Sequence, residues 1–279
     1  LANLNELVYS RYGDLRSWTR SDQNAFRATG SPATVVFVPG NGYSHQQTRD
    51  LGLDAYRRMM GELPPDEKIR FVIWSWPSDP ASRRQVRDVR IKAGRTPWVA
   101  WCLASWLDTL EPAGPLCVVG TSFGARVVCE ALHLRGGGTI GTYRLAPAST
   151  PRQRVQAVLI SAAIDNDWLL PHRRLGRAIS SVERMLLLTN STDPVLSRYR
   201  LLYGLRSNAA ALGYTGLAGR EQLGAEARKI EQIDVASLVG PNHGFVYYFS
   251  APRVVAQIQR YTISPNAPML ARNRGSAAR

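Results

Sequence analysis

Lysine is almost missing from this sequence: it stands only at Lys68, Lys92 and Lys229, although Lys and Arg together number 35. With 21 Asp and Glu the formal net charge is +14, a balance that raises nucleic acid or an anionic surface as a partner. The arginines are dispersed, however, and the densest basic stretch, residues 83–95, has no aromatics between its charges to stack on bases. It reads as a solvated helix face, the skew toward arginine reads as genomic composition bias, and no specific nucleic-acid partner is expected. Cysteine is scarce as well. Cys102, Cys117 and Cys129 are odd in number and lie in apolar contexts, which excludes a disulfide framework and paired zinc spacing and leaves buried thiols. No apolar run approaches the roughly 18 to 20 residues needed to span a bilayer, so a soluble chain is expected, with the cytoplasm favoured. The chain opens on Leu1 without a charged-then-apolar leader, and a processed or truncated start is expected. No His and carboxylate cluster has ligand spacing, so neither metal nor cofactor is implied. Internal repeats and domain linkers are also missing.

What is present alternates. Buried strands are expected at residues 34–38, 69–74, 116–119, 155–163, 185–189 and 230–235, with helices at 46–62, 99–110, after residue 122, and at 246–261. Residues 1–33 carry short apolar pieces, at 7–9 and 15–18, that could supply edge strands. Residues 264–279 form a polar tail expected to fray. Strand-helix alternation implies right-handed crossovers and a mostly parallel sheet covered on both faces, here as one domain over residues 1–263. Only about twenty residues separate the strands at 155 and 185, so any cap is small and built around Trp168, Leu169, Leu170 and Pro171.

The stretch from Val118 to Arg126 organises the rest. An apolar run is cut by Gly120 and resumes with helical spacing as Ala125, Val127, Val128, Ala131 and Leu132, so a strand turns sharply into a helix at Ser122. Such a turn leaves room only for small residues two before and two after the serine, and Gly120 and Gly124 stand there. A nucleotide-binding loop also suits a strand-glycine-helix junction. The dinucleotide fingerprint, though, needs glycine at position 122, and the phosphate loop needs a Gly-Lys-Ser/Thr ending that is missing.

The pattern Gly-x-Ser-x-Gly in this context resembles the nucleophile elbow of the α/β-hydrolase superfamily. The resemblance implies an α/β-hydrolase fold and a triad in the chain order serine, acid, histidine. Of four histidines, His45, His133 and His172 precede the favoured acid, while His243 follows an expected strand and precedes the last helix. Asp193 is favoured as the acid, because it ends an expected strand in the position the superfamily uses; Asp-Pro is also a helix N-cap signature. Asp165 and Asp167 remain alternatives. Phe123 N–H is one expected oxyanion donor and Asn41 N–H the other, with Gly42 its rival, in a loop where many relatives have His-Gly and this chain has Pro39-Gly40. Four stretches, 36–43, 73–78, the elbow, and 188–199 with 212–217, resemble an uncharacterised group of bacterial α/β hydrolases of unknown function. The expectation is a serine hydrolase of a small-molecule carboxylic ester or thioester, with acyl transfer available to the same residues. A non-catalytic scaffold binding a partner, anionic given the charge, is the alternative.

Overall fold

Parallel strands covered on both faces read as unbroken apolar runs, and the centre of this chain consists of them. The computed structural model describes residues 4, 7–13, 16–28, 33–61, 69–110, 114–148, 152–203 and 209–263. First come two short strands, β1 (Tyr9–Tyr12) and β2 (Trp18–Ser21), which pair antiparallel as a sheet of their own. The pieces expected as edge strands thus pair with each other, and Leu15 lies outside the described residues. The main sheet comprises β3 (Ala33–Val38), β4 (Ile69–Ile73), β5 (Leu116–Thr121), β6 (Val155–Ile160), β7 (Val182–Thr189) and β8 (Ile230–Asp234), in the order β4-β3-β5-β6-β7-β8. Every neighbouring pair is parallel. β3, β5 and β6 are buried along their whole length, whereas the edge strands β4 and β8 are only partly covered.

Alternate side chains of each strand enter opposite faces. Val36, Val38 and Val118 pack with Leu103 and Trp106 of α3 (Gln85–Leu107) and Val127 and Val128 of α4 (Phe123–Arg135). Val35, Phe37 and Val119 pack on the other face with Ala55 and Met59 of α2 (His45–Met60), Phe245 and Phe249 of α8 (Phe245–Phe249), and Val254 and Ile258 of α9 (Pro252–Thr262). Short helices α1 (Gln23–Ala28), α5 (Tyr199–Tyr203), α6 (Leu212–Thr215) and α7 (Ala236–Val239) fill the connections. The result is the α/β architecture that the strand-helix alternation implied, a parallel central sheet with helices on both faces. Among the described residues no helix is long and apolar enough to cross a membrane. All three cysteines are buried, and burial pushes the Cys117 and Cys129 thiols well up.

Two helices depart from expectation, each at a proline. The helix expected from residue 99 begins at Gln85 and runs through Pro97. A proline inside a helix orphans the carbonyl four residues back, and here the Ala93 carbonyl accepts instead from the Thr96 hydroxyl at 3.1 Å and the Arg126 guanidinium at 3.3 Å. The closing helix is two, α8 and α9, because Pro252 has no N–H with which to continue α8 and occupies the first turn of a new helix.

The sheet order also fixes where a site can form. From β3 the chain goes out to β4 on one side and then crosses to β5 on the other. Connections leaving β3 and β5 therefore diverge, and a crevice opens at their C-terminal ends, the usual ligand position in open α/β sheets.

Candidate active site

Ser122 stands at that crevice, between the end of β5 and the first residue of α4. Its backbone has φ 51° and ψ −116°, a conformation that L residues rarely adopt and that costs on the order of 1–3 kcal/mol. Close packing holds it there. A Cβ on Gly124 would lie 2.0 Å from the Val38 carbonyl oxygen, and one on Gly120 would lie 2.6 Å from the Ala125 Cα. Both glycines are therefore demanded by the approach of β3 and β5 to α4. The Ser122 N–H donates to the Ile160 carbonyl at 2.9 Å, and its own carbonyl accepts from Ala125 and Ala163. With the backbone so committed, the hydroxyl projects from the turn, and Ser122 is half-buried.

The other two residues come from loops after β7 and β8. His243 Nε2 lies 2.9 Å from Ser122 Oγ, and its Nδ1 lies 2.7 Å from Asp193 Oδ2. Asp193 is fully buried, whereas the His243 side chain keeps 22% exposure, so the imidazole links a sealed carboxylate to an accessible hydroxyl. The second carboxylate oxygen, Oδ1, accepts from the N–H groups of Val195 and Leu196 at 2.9 and 3.0 Å, over Pro194. The cap and the histidine contact expected of Asp193 thus use different oxygens. Asp165 is engaged by the Tyr199 hydroxyl at 2.8 Å and Asp167 by Arg173 at 3.4 Å, so the structure brings neither of these alternatives to His243.

The two oxyanion candidates after β3 are distinguished by their partners. Gly42 N–H donates to the Ser78 carbonyl at 2.9 Å, while no described residue accepts from Asn41 N–H. Asn41 Oδ1 is likewise buried without a partner among the described residues. Phe123, the first residue of α4, places its N–H at the helix N-terminus beside Ser122, where the helix dipole favours negative charge.

The segment after β4 was missed as a support. Trp76 is buried and its Nε1–H donates to the Pro39 carbonyl at 2.9 Å; the Ser78 hydroxyl donates to the Tyr43 carbonyl at 2.9 Å. Along with the Gly42 bond, these fasten the loop carrying Asn41 on both sides. Their only sequence signal is the aromatic, turn-forming exit Trp74-Ser75-Trp76-Pro77-Ser78. Between β6 and β7 the described residues include no large lid, in line with the expectation of a small cap or none. Leu169 and Leu170 enter the core, and Trp168 lies between the guanidinium groups of Arg126 and Arg174, 5.2 and 4.4 Å from its ring centre.

Among the described residues no three His, Cys, Asp or Glu side chains are grouped to hold a metal ion. No family model matches the chain, and no curated protein matches it. Among solved structures it is similar to Zea mays acyl-protein thioesterase 2, at 16% identity over 84% of this chain and 95% of that one, with a TM-score of 0.44. An acetyl xylan esterase gives 12% identity, 82% and 98% coverage and a TM-score of 0.41. A lipase-esterase related protein from Clostridium acetobutylicum ATCC 824 gives 10%, 83% and 95%, and 0.41. Likenesses at this level say nothing of what this chain does, and its own geometry has to carry that.

Proposed function

We propose that this protein is a serine hydrolase that cleaves a small-molecule carboxylic ester or thioester through an acyl-enzyme. The observation that carries the reading is the continuous contact from Asp193 through His243 to Ser122, at 2.7 and 2.9 Å, on a serine held at φ 51°. In this reading Ser122 Oγ attacks the acyl carbon as its proton passes to His243 Nε2, and the tetrahedral oxyanion takes hydrogen bonds from the N–H groups of Phe123 and Asn41. Collapse expels the alcohol or thiol, which leaves with the proton from Nε2. Water then attacks the acyl-enzyme with His243 again acting as base, and Ser122 is regenerated. Asp193 keeps the Nδ1–H tautomer and stabilises the imidazolium. We also propose, on the motifs at 36–43, 73–78, the elbow and 188–199 with 212–217, that the chain is close to the uncharacterised bacterial hydrolases they resemble.

An active-site-directed fluorophosphonate should label Ser122 alone. Ser122→Ala should abolish labelling and lower turnover of nitrophenyl esters by on the order of 10⁴ or more, since nucleophile and base act as a unit. Labelling of another serine, or ester hydrolysis indifferent to Ser122→Ala, would remove the hydrolase reading in favour of a binding scaffold.

A further inference from the structure

Asn190 lies three residues before Asp193, takes no part in the proton transfers above, and is fully buried. Its side chain uses both ends. Nδ2 donates to the carbonyls of Gly240 and Asn242, at 2.8 and 3.0 Å, in the loop that runs directly into His243. Oδ1 accepts from Thr192 N–H at 3.0 Å and from the Thr192 hydroxyl at 2.7 Å, in the residue before Asp193. The amide can be oriented only this way round, because carbonyls can only accept and a peptide N–H can only donate. The backbone is committed too. Asn190 N–H donates to Gly213 and its carbonyl accepts from Asp193 N–H, at 2.8 and 3.1 Å.

One neutral side chain therefore joins the loop of the acid to the loop of the base. We infer that Asn190 is a positioning residue that sets the distance between Asp193 and His243, an inference that rests on reading those two residues and Ser122 as a hydrolytic triad. The residue type follows from the geometry. Two carbonyls on one side need a donor and two donors on the other need an acceptor, at the reach of a single short amide; aspartate has the shape but cannot donate to the carbonyls when ionised, and serine reaches only one side. Beside it on the sheet, the buried Tyr248 hydroxyl lies 2.5 Å from Ser161 Oγ. Neighbouring elements are thus joined through Asn190, whose side chain is fully buried, whereas Ser122 is half-buried at the crevice.

The test compares Asn190→Asp and Asn190→Ser in the full chain, with Thr262→Val as a buried control far along the sequence in α9. Two readouts are needed: steady-state kinetics on a nitrophenyl ester, and the imidazole N–H resonance of His243, assigned by its loss in His243→Gln. In folded Asn190→Asp, kcat should fall roughly 10- to 100-fold with KM within about twofold, because a displaced base costs turnover and not binding. The His243 resonance should shift or broaden away, and Asn190→Ser should fall between. Thr262→Val should keep wild-type kcat per folded molecule and an unchanged resonance. The inference is overturned if either Asn190 variant folds with the wild-type resonance and kcat, or loses activity only in proportion to its unfolded fraction. Should the wild-type protein neither hydrolyse esters nor take the phosphonate, the hydrolase reading fails, and the role of Asn190 is decided by the resonance alone.

Discussion

Asp193 has two structural duties, and substitutions can separate them. Oδ2 holds His243 while Oδ1 caps the turn at Val195 and Leu196. Asparagine caps about as well as aspartate but cannot supply the charge that fixes the tautomer and stabilises the imidazolium. Asp193→Asn should therefore lower turnover roughly 10³- to 10⁴-fold with little change in stability, whereas Asp193→Ala should lose the activity and about 1 kcal/mol besides. Ester kinetics beside urea melts measure both, and normal turnover in Asp193→Asn combined with loss in Asp165→Asn would reassign the acid. His133 makes a different prediction at the same scale. Burial lowers its pKa from the ordinary value near 6.5, with the neighbouring Arg177 charge adding to this and backbone bonds to Leu175 and Thr139 opposing it. Its Nδ1 accepts the Arg177 N–H at 3.2 Å, which requires the neutral ring. The unfolded chain thus takes up this proton at higher pH than the folded one. The neutral ring's stability contribution is present above about pH 6.5 and is lost as pH falls from there through the lower folded pKa. His133→Gln should be less stable at neutral pH but flatter across that window in urea melts followed against pH; an unchanged slope would exclude His133 as its source.

At the scale of elements, the parts that were legible in the sequence are those whose cause is local. The elbow was readable because its signature, Gly120-x-Ser122-x-Gly124, lies within five residues, even though what crowds Gly124 is the distant β3 backbone at Val38, and His243 because only four histidines compete. The sequence favours the Asn41 N–H but leaves Gly42 as its rival, since the Ser78 carbonyl that engages Gly42 lies 36 residues on and meets it only after β4 pairs with β3. Helix α3 is one helix where the sequence reads two pieces, a basic helix face over 83–95 and an apolar helix from 99, because Pro97 signals a break between them and the guanidinium that satisfies the gap comes from α4. The same distinction predicts what substitutions do. Gly124→Ala pushes a methyl group into the backbone of β3, which cannot move without disturbing both neighbours, and should cost at least about 3 kcal/mol in chemical denaturation. Trp76→Phe keeps most of the buried ring but removes the donor to the Pro39 carbonyl. A loss of roughly 1 kcal/mol is expected, along with a kcat fall of about tenfold at near-constant KM, because the Asn41 loop is loosened. Equal kcat in Trp76→Phe would mean that Ser78 alone suffices to hold the loop.

Across the whole molecule, much of the positive charge is engaged internally, and arginine's forked donors suit that use better than a lysine's point charge. Arg135 and Arg152 both bond Asp108 while also reaching the Gln153 and Ala146 carbonyls. Arg220 serves the carbonyls of Ala227 and Ile230, and Arg184 lies 4.4 Å from the Tyr261 ring centre. The densest basic stretch is only partly the solvated face expected of it: Arg83, Arg84, Arg87 and Arg90 are exposed, but Lys92 is buried and paired with Asp88 at 2.6 Å, and Arg95 donates to the Pro77 carbonyl. Four arginines without interleaved aromatics can meet phosphates but cannot read bases. Binding to duplex DNA should consequently be weak, indifferent to sequence and steeply salt-dependent, with log K falling against log salt by about 0.9 per phosphate neutralised. Fluorescence anisotropy with two unrelated duplexes across a salt series gives that slope. Replacing Arg87 and Arg90 with glutamate should make it shallower by up to about two such steps. Tight binding to one duplex at physiological salt, unmoved by the double substitution, would instead locate a specific nucleic-acid site elsewhere on the molecule and turn the reading of the charge around.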